Sequence, residues 1–305
     1  MKIVNKLQYN LLKFKKKCSV QSNETVEISD EEYTKYYEVE QEQIYDYSKC
    51  DFGVRQWGYN IISLEDKTVS IVYCGNRNTL TEVNMPETVE YNNILFNVTS
   101  ICSSAFAGCS SLTNIVIPNS VTTIGDIAFA GCTSLTDVTI GNGVTTIGDS
   151  AFFECASLTD VTIGNSVTTI GYYTFYGCTS LTSISIPNNV TSIGRNAFVG
   201  CNSLTNIVIP DSVTTIGDGA FANCSSLISI VIPNKVTTIG VDAFKECNSL
   251  TSITIYSTNV NFININDLNI DHQITIYVLS ELINDYKSYY EKDIFLNKVN
   301  VLPIE

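Results

Sequence analysis

The sequence predicts an α/β solenoid, a stack of coils repeating every 23 residues. Three observations carry this. Phe106, Phe129, Phe152, Phe175, Phe198, Phe221 and Phe244 stand 23 residues apart. Cysteine keeps the same step from Cys109 to Cys247, and leucine from Leu112 to Leu250. Within each unit a segment of the form Leu-Thr-x-Ile-x-Ile alternates apolar and polar residues, the period of a half-buried strand. A fixed period of this length describes units that contact only their neighbours and bury their apolar faces by stacking.

Taken in order, residues 1–50 lie outside the repeat. Residues 1–19 are basic and thinly amphipathic (Ile3, Leu7, Leu11 and Phe14 among lysines), which reads as a short helix or a docked tail. Residues 20–49 are acidic and tyrosine-rich. Ser29 with Glu32 reads as a capping box for a helix over Asp30 to Ile44, the alternative being a disordered acidic linker. Residues 51–97 form an N-terminal cap and a first coil. Tyr59, Ile61 and Ser63 lead through Leu64–Lys67 to Val69, Ile71 and Tyr73, the pattern of a β-hairpin, and Trp57 is placed to cover the first coil. Leu80 to Pro86 is a first, isolated copy of the strand. Glu87 to Asn97 is a second hairpin, with Tyr91-Asn92-Asn93 at its tip.

Residues 98–257 hold seven regular repeats. In each, Pro or Gly with Asn ends the strand and turns the chain. A Val and an Ile, as in Val121 and Ile124, begin the return path, and Ala128-Phe129 with Cys132 reads as a short helical turn. Residues 258–305 close the stack. Ile276 and Val278 fall 23 residues after Ile253 and Ile255, so one more strand continues in register, and Ser280 to Tyr290 is an amphipathic helix placed to cover the open end.

Composition narrows the function. Acidic residues number 31 against 17 Lys and Arg, for a formal charge of −14. Nucleic acid is therefore a poor partner, since phosphate binding needs a basic face. No stretch is long enough to span a membrane, and Lys2, Lys6 and Lys13 interrupt any signal-peptide apolar core. The chain has 11 cysteines, no CxxC and one histidine, His272, so a zinc site is not expected. The cysteine column reads as small, reduced, buried packing residues. Nucleophilic catalysis needs a base beside the nucleophile, and none repeats there. No cofactor or metal is expected.

The unit from Asn188 to Leu204, NNVTSIGRNAFVGCNSL, resembles the repeat of the BspA-like leucine-rich repeat proteins. Tyr59–Val72, Met85-Pro86 and Val98–Ile101 resemble that family's lead-in. Ile276–Val278, Tyr286-Lys287 and Val301–Glu305 resemble its terminal cap. The resemblance implies a curved leucine-rich-repeat solenoid with a parallel sheet on the concave face and short helical turns on the convex side, capped at both ends. It further implies a non-enzymatic surface or secreted protein that adheres to matrix proteins or other cells.

Specificity is expected from the places that break the columns: Asp137 with Asp160, Phe153 with Tyr172 to Tyr176, and the acidic N-terminal segment. The outward residues of the strands include Asn114, Asp137, Asp160 and Asn206 on a flat, short-chained face without aromatic or Arg anchors, suited to protein or glycan docking. Asp137 and Asp160, one coil apart, are paired carboxylates that a hydrolase reading would use. On the turn side Phe153, Tyr172, Tyr173 and Tyr176 form an aromatic cluster. The expected function is an adhesin-like scaffold, acting as a monomer on a host matrix or cell-surface protein. An intracellular effector or structural scaffold is the alternative.

Overall fold

The computed structural model describes residues 2–5, 25–28, 50–54, 57–73, 75–259, 272–291 and 299–304. The chain divides into two compact units, Met1–Asp46 and Tyr47–Glu305. In the first, Lys2–Asn5 pairs antiparallel with Thr25–Ile28. These eight residues are extended where the sequence suggested helix or disorder, as suits Ile3, Val4, Thr25, Val26 and Ile28, all β-branched. The helix expected over Asp30 to Ile44 lies outside the described residues.

The second unit opens with antiparallel strands that hand over to parallel ones. Phe52–Val54, Trp57–Ser63 and Thr68–Tyr73 pair antiparallel in sequence. Thr88–Tyr91 then pairs with Ile94–Ile101 across a two-residue loop, with Tyr91 opposite Ile94. Asn92 and Asn93 both sit at positive φ, 51° and 61°, which makes the loop a type I′ turn, the kind whose twist matches a hairpin. Ile94–Ile101 also runs parallel to Thr68–Tyr73 on one side and to Thr123–Ile124 on the other. It is the joint between cap and array.

Each coil of the array then has three sides. The first is the Leu–Ile strand. Glu82–Asn84, Asn114–Ile117, Asp137–Ile140 and Asp160–Thr162 form a parallel four-stranded sheet. Ser229–Ile232, Ser252–Ile255, Ile274–Val278 and Val299–Pro303 form a second. Between them only isolated bridges, Thr162 to Ser185 and Ser185 to Val208, carry the ladder on. No strand pairing joins Asn206–Ile209 to Ser229–Ile232 among the described residues.

The second side is a ladder where the sequence showed only a return path. Thr123–Ile124 pairs parallel with Thr146–Ile147, and Thr169–Ile170, Ser192–Ile193, Thr215–Ile216 and Thr238–Ile239 pair in turn. The third side corrects the expected helical turn. Two residues per coil take the left-handed conformation, for example Ser104 at φ 58° and Gly108 at φ 72°, and the same two positions recur down the stack. The amides of Ser104, Phe106 and Gly108 donate to the carbonyls of Asp126, Ala128 and Ala130 in the next coil, at 2.9, 2.7 and 2.8 Å. Those of Ala105 and Ala107 close tight turns onto Cys102 and Ser104, at 3.2 Å each. A helix would spend every amide internally. Stacking requires half of them for the neighbouring coil, so the chain alternates handedness instead.

All three sides face one core. The repeated Val, Ile, Ala, Phe, Cys, Leu and paired Ile positions are buried in nearly every coil. The phenylalanines stack ring on ring, with centroids 5.0 Å apart from Phe106 to Phe129 and 5.7 Å from Phe221 to Phe244. At the N-terminal end Tyr73 stacks on Phe106 and Trp57 meets it edge-on, at 6.1 and 6.0 Å. At the other end the helix Ile283–Glu291 buries Tyr286 and Tyr290, and Val299–Pro303 adds a last parallel strand.

Candidate binding surface

The alternation of the Leu–Ile strands decides what faces outward. In Asp137–Ile140, Val138 and Ile140 are buried while Asp137 and Thr139 are exposed. Parallel register then aligns equivalent residues of successive coils. Glu82, Asn114, Asp137 and Asp160 therefore form one row, with neighbours about 4.8 Å apart. The Thr136 hydroxyl donates to Asp137 Oδ2 at 2.6 Å and also lies 2.9 Å from the Thr113 carbonyl. Thr113, Thr136, Thr159, Thr205 and Thr251 each bond in this way to the carbonyl one coil back, so their hydroxyls are largely taken up by the stack itself. Among the described residues no three His, Cys, Asp or Glu side chains converge as a metal site requires.

Asn206 lies further along the same face, apart from the acidic row. There the loss of pairing between Asn206–Ile209 and Ser229–Ile232 coincides with an open cleft of about 490 Å³, lined by Val208, Val231, Pro233 and Tyr256 and by the polar Asn206, Ser229, Asp211 and Asn234. Val208 is 67% exposed, Val231 44% and Tyr256 43%, and all three line the cleft; Ile228 next to Ser229 is 52% exposed, and Val116, at 59%, is another outward apolar residue of this face. Tyr256 at the cleft and the outward, half-buried Tyr277 correct the expectation that this face has no aromatic anchor. Two signals were visible. Ile228 stands where the other coils have Thr, and Tyr256 replaces the Pro or Gly that ends the other strands.

The turn side holds the aromatic cluster. Phe153 and Tyr176 stack with centroids 4.8 Å apart, and Tyr173 meets Tyr176 at 5.9 Å. All three are half-buried. Tyr172 is 56% exposed and joins no ring contact among the described residues. The structure thus brings three of the four rings together, as packing between coils, and places them on a different side of the coil from Asp137, Asp160 and Asn206.

Among the described residues, the repeat cysteines and His272 are engaged in structure. The Cys132, Cys155 and Cys178 thiols donate to the carbonyls of Phe106, Phe129 and Phe152, at 3.2, 3.2 and 3.3 Å. Burial pushes the Cys109 thiol up to about 11 and those of Cys178 and Cys247 up to about 12, leaving them inert as nucleophiles near neutrality. His272 Nε2 lies 2.9 Å from the Leu250 carbonyl. No helix among the described residues is long and apolar enough to cross a membrane.

Comparison with known proteins agrees with this architecture. A model of the BspA type leucine rich repeat region matches residues 72–173, 99–228 and 145–275, in six copies. The crystal structure of a leucine-rich cell surface protein from Faecalibacterium prausnitzii A2-165 is 37% identical over 68% of this chain and 55% of its own, with a TM-score of 0.61. The chain thus spans about half the length of that relative. A leucine-rich repeat protein from Bacteroides ovatus is 27% identical over 83% of this chain and 76% of its own, with a TM-score of 0.46. One from T. pallidum is 23% identical over 82% and 97%, with a TM-score of 0.47. A search of curated proteins found no match. With the repeat model spanning two thirds of the chain and the stacked coils following its period, the protein belongs to the BspA-type leucine-rich repeat family.

Proposed function

We propose that this chain is a non-catalytic, adhesin-like scaffold that binds a host matrix or cell-surface protein through its Leu–Ile strand face. Membership of a leucine-rich repeat family supports a protein-interaction role. The observation that carries the choice of surface is the exposed group Val208, Val231 and Tyr256 lining the cleft. Large apolar side chains left in water around a recess cost solubility and are the usual anchors of an interface. The surface role draws on the relative from Faecalibacterium prausnitzii, which is described as a cell surface protein.

The test is solid-phase binding of the purified chain to a panel of extracellular-matrix proteins, with three forms compared. Val208→Ser/Val231→Ser/Tyr256→Ser is expected to lose about tenfold or more in affinity, as removal of central apolar anchors does. Tyr172→Ser/Tyr173→Ser/Tyr176→Ser is expected to bind as the wild type does. The reverse ranking would move the site to the turn side. Protease shaving of intact source cells tests location, and survival of the full-length chain until lysis would sink the surface role.

A further inference from the structure

The strand face is not uniform along the stack. Its N-terminal coils carry the row Glu82, Asn114, Asp137 and Asp160. Its C-terminal coils carry the apolar cleft. No Lys or Arg occupies an outward position of the Leu–Ile strands from Glu82 to Tyr277. Lys235 and Asp211 lie in the turns after the strands and offset each other, so the field over the strands themselves is acidic. The cleft coincides with a gap in the ladder. Pairing stops between Val208 and Val231, while the core residues beneath, Ile207, Ile230 and Ile232, stay buried. The Ile228 amide still donates to the Thr205 carbonyl at 3.3 Å, so the cleft is an open recess on the strand face, lined by Val208, Val231 and Tyr256.

We infer that this face recognises an extended, basic segment of a partner protein, which seats one large apolar side chain in the cleft between Val208 and Val231 and sets Lys or Arg side chains against Asp160 and Asp137. The inference rests on the strand-face reading above and adds the chemistry and direction of the partner. Spacing follows from the register. Val208 lies two coils beyond Asp160 and two residues further along the strand. At about 4.8 Å per coil and about 3.3 Å per residue, the separation is roughly 12 Å. An extended chain covers that in about four residues, and Asp137 lies about one to two residues further on. The recognised pattern is thus an aromatic or aliphatic residue followed, or preceded, about four positions away by closely spaced basic residues. Acidic residues facing basic ones steer the encounter and set its direction, while the buried side chain holds the complex.

Fluorescein-labelled synthetic peptides, read by anisotropy against the full chain, test this. The first peptide carries Phe and, four residues on, Lys-Ser-Lys in a Ser/Thr background. The second replaces both Lys by Glu, and the third replaces Phe by Ser. The first is expected to bind, and each replacement to weaken it by about tenfold or more. Asp137→Asn/Asp160→Asn is expected to weaken the first peptide by about fivefold and to flatten its salt dependence between about 20 and 200 mM. Val208→Ser/Val231→Ser is expected to weaken it by about fivefold with the salt dependence intact. All substituted positions are exposed, so unchanged thermal unfolding serves as the folding control. Equal binding of the Lys and Glu peptides overturns the inference. If matrix-protein binding remains sensitive to Val208, Val231 and Tyr256 while the Asp variants leave it unchanged, the strand-face reading stands and the basic-partner inference falls. If neither set of variants affects any binding, both fall.

Discussion

Thr174 occupies the position held by Ala105, Ala128, Ala151, Ala197, Ala220 and Ala243 in the other coils. It is fully buried, and its hydroxyl has no hydrogen-bond partner. A buried donor left without a partner carries its whole desolvation cost, about 1–3 kcal/mol. Thr174→Ala is therefore expected to raise stability by about 1 kcal/mol, read as a higher urea midpoint at unchanged slope. A lower midpoint would mean that the methyl group packs better than the hydroxyl harms. Two glycine columns separate strain from sterics in the same way. Gly131 sits at φ +70°, and a Cβ there would meet nothing closer than 3.9 Å. Gly125 has an ordinary φ, but a Cβ there would lie 2.5 Å from the Ser103 amide nitrogen of the preceding coil. Gly131→Ala should cost only the left-handed penalty, about 1–2 kcal/mol. Gly125→Ala should cost more, because backbone must move. The first coil shows the logic, since it carries Cys102 at this position and its neighbour there is the cap strand Thr68–Tyr73 rather than another turn.

At the scale of the element, the strands and caps were legible in the sequence and the other two sides of the coil were not. Leu-Thr-x-Ile-x-Ile is long enough for alternation to show. The second ladder is two residues per coil, as in Thr123–Ile124, too short for any period to register. The turn misled because Ala128, Phe129 and Cys132 are spaced as on a helix, while the left-handed residues that prevent a helix are Ser104, Ile127, Tyr173 and Asn196 rather than glycine alone. Within the site, the acidic row could be read from spacing. The cleft could not, because it coincides with a loss of pairing between coils, and Ile228 and Tyr256, which break the pattern there, carry no signal of pairing. The cysteine column yields a prediction of its own. Free thiols ionise near about 8.5, whereas burial holds Cys109 up to about 11 and Cys178 and Cys247 up to about 12. These raised values favour the native state fully at low pH. As pH rises above about 8.5 the unfolded chain releases protons that the native chain retains, so stability falls until the native thiols ionise. Urea midpoints should decline between about pH 8 and 9.5, by up to about 1 kcal/mol per buried thiol. Cys178→Ala should start lower at neutral pH and decline less steeply. Parallel curves for the two would remove the thiols as the cause.

For the whole array of stacked coils, the energetics are close to one-dimensional. Coils bond to their neighbours through strand ladders and turns, as Thr145 does to Thr122 and Phe129 to Ala151, with the ladders interrupted between Ile147 and Thr169 and between Val208 and Val231, and each ring stacks on the neighbouring rings, as Phe129 does on Phe106 and Phe152. Stability then approximates a sum of coil terms and interface terms, with the caps closing the ends. Such a body should tolerate loss of a whole coil and reject loss of part of one. Deleting residues 143–165, one full period of 23, joins Asn142 to Ser166 and recreates the Gly-Asn-Ser turn already present at Gly164–Ser166. It would set Phe129 against Phe175 and Thr123 beside Thr169, keeping every repeated position in register. The product is expected to remain monodisperse and folded, with a smaller dependence of unfolding free energy on urea because less surface is exposed. Deleting residues 143–164, one residue fewer, puts the chain out of step at the join. A one-residue slip turns inward-facing side chains outward, so either the following coils lose their core or the turn must absorb the extra residue under strain. Gly143 shows how little room that turn has, since a Cβ there would fall 1.9 Å from the Asn119 carbonyl oxygen. Circular dichroism and size-exclusion chromatography of the two deletions decide the matter. If both fold equally well, the coils are joined more loosely than their shared hydrogen bonds imply, and a turn such as Gly141–Gly143 can absorb an extra residue.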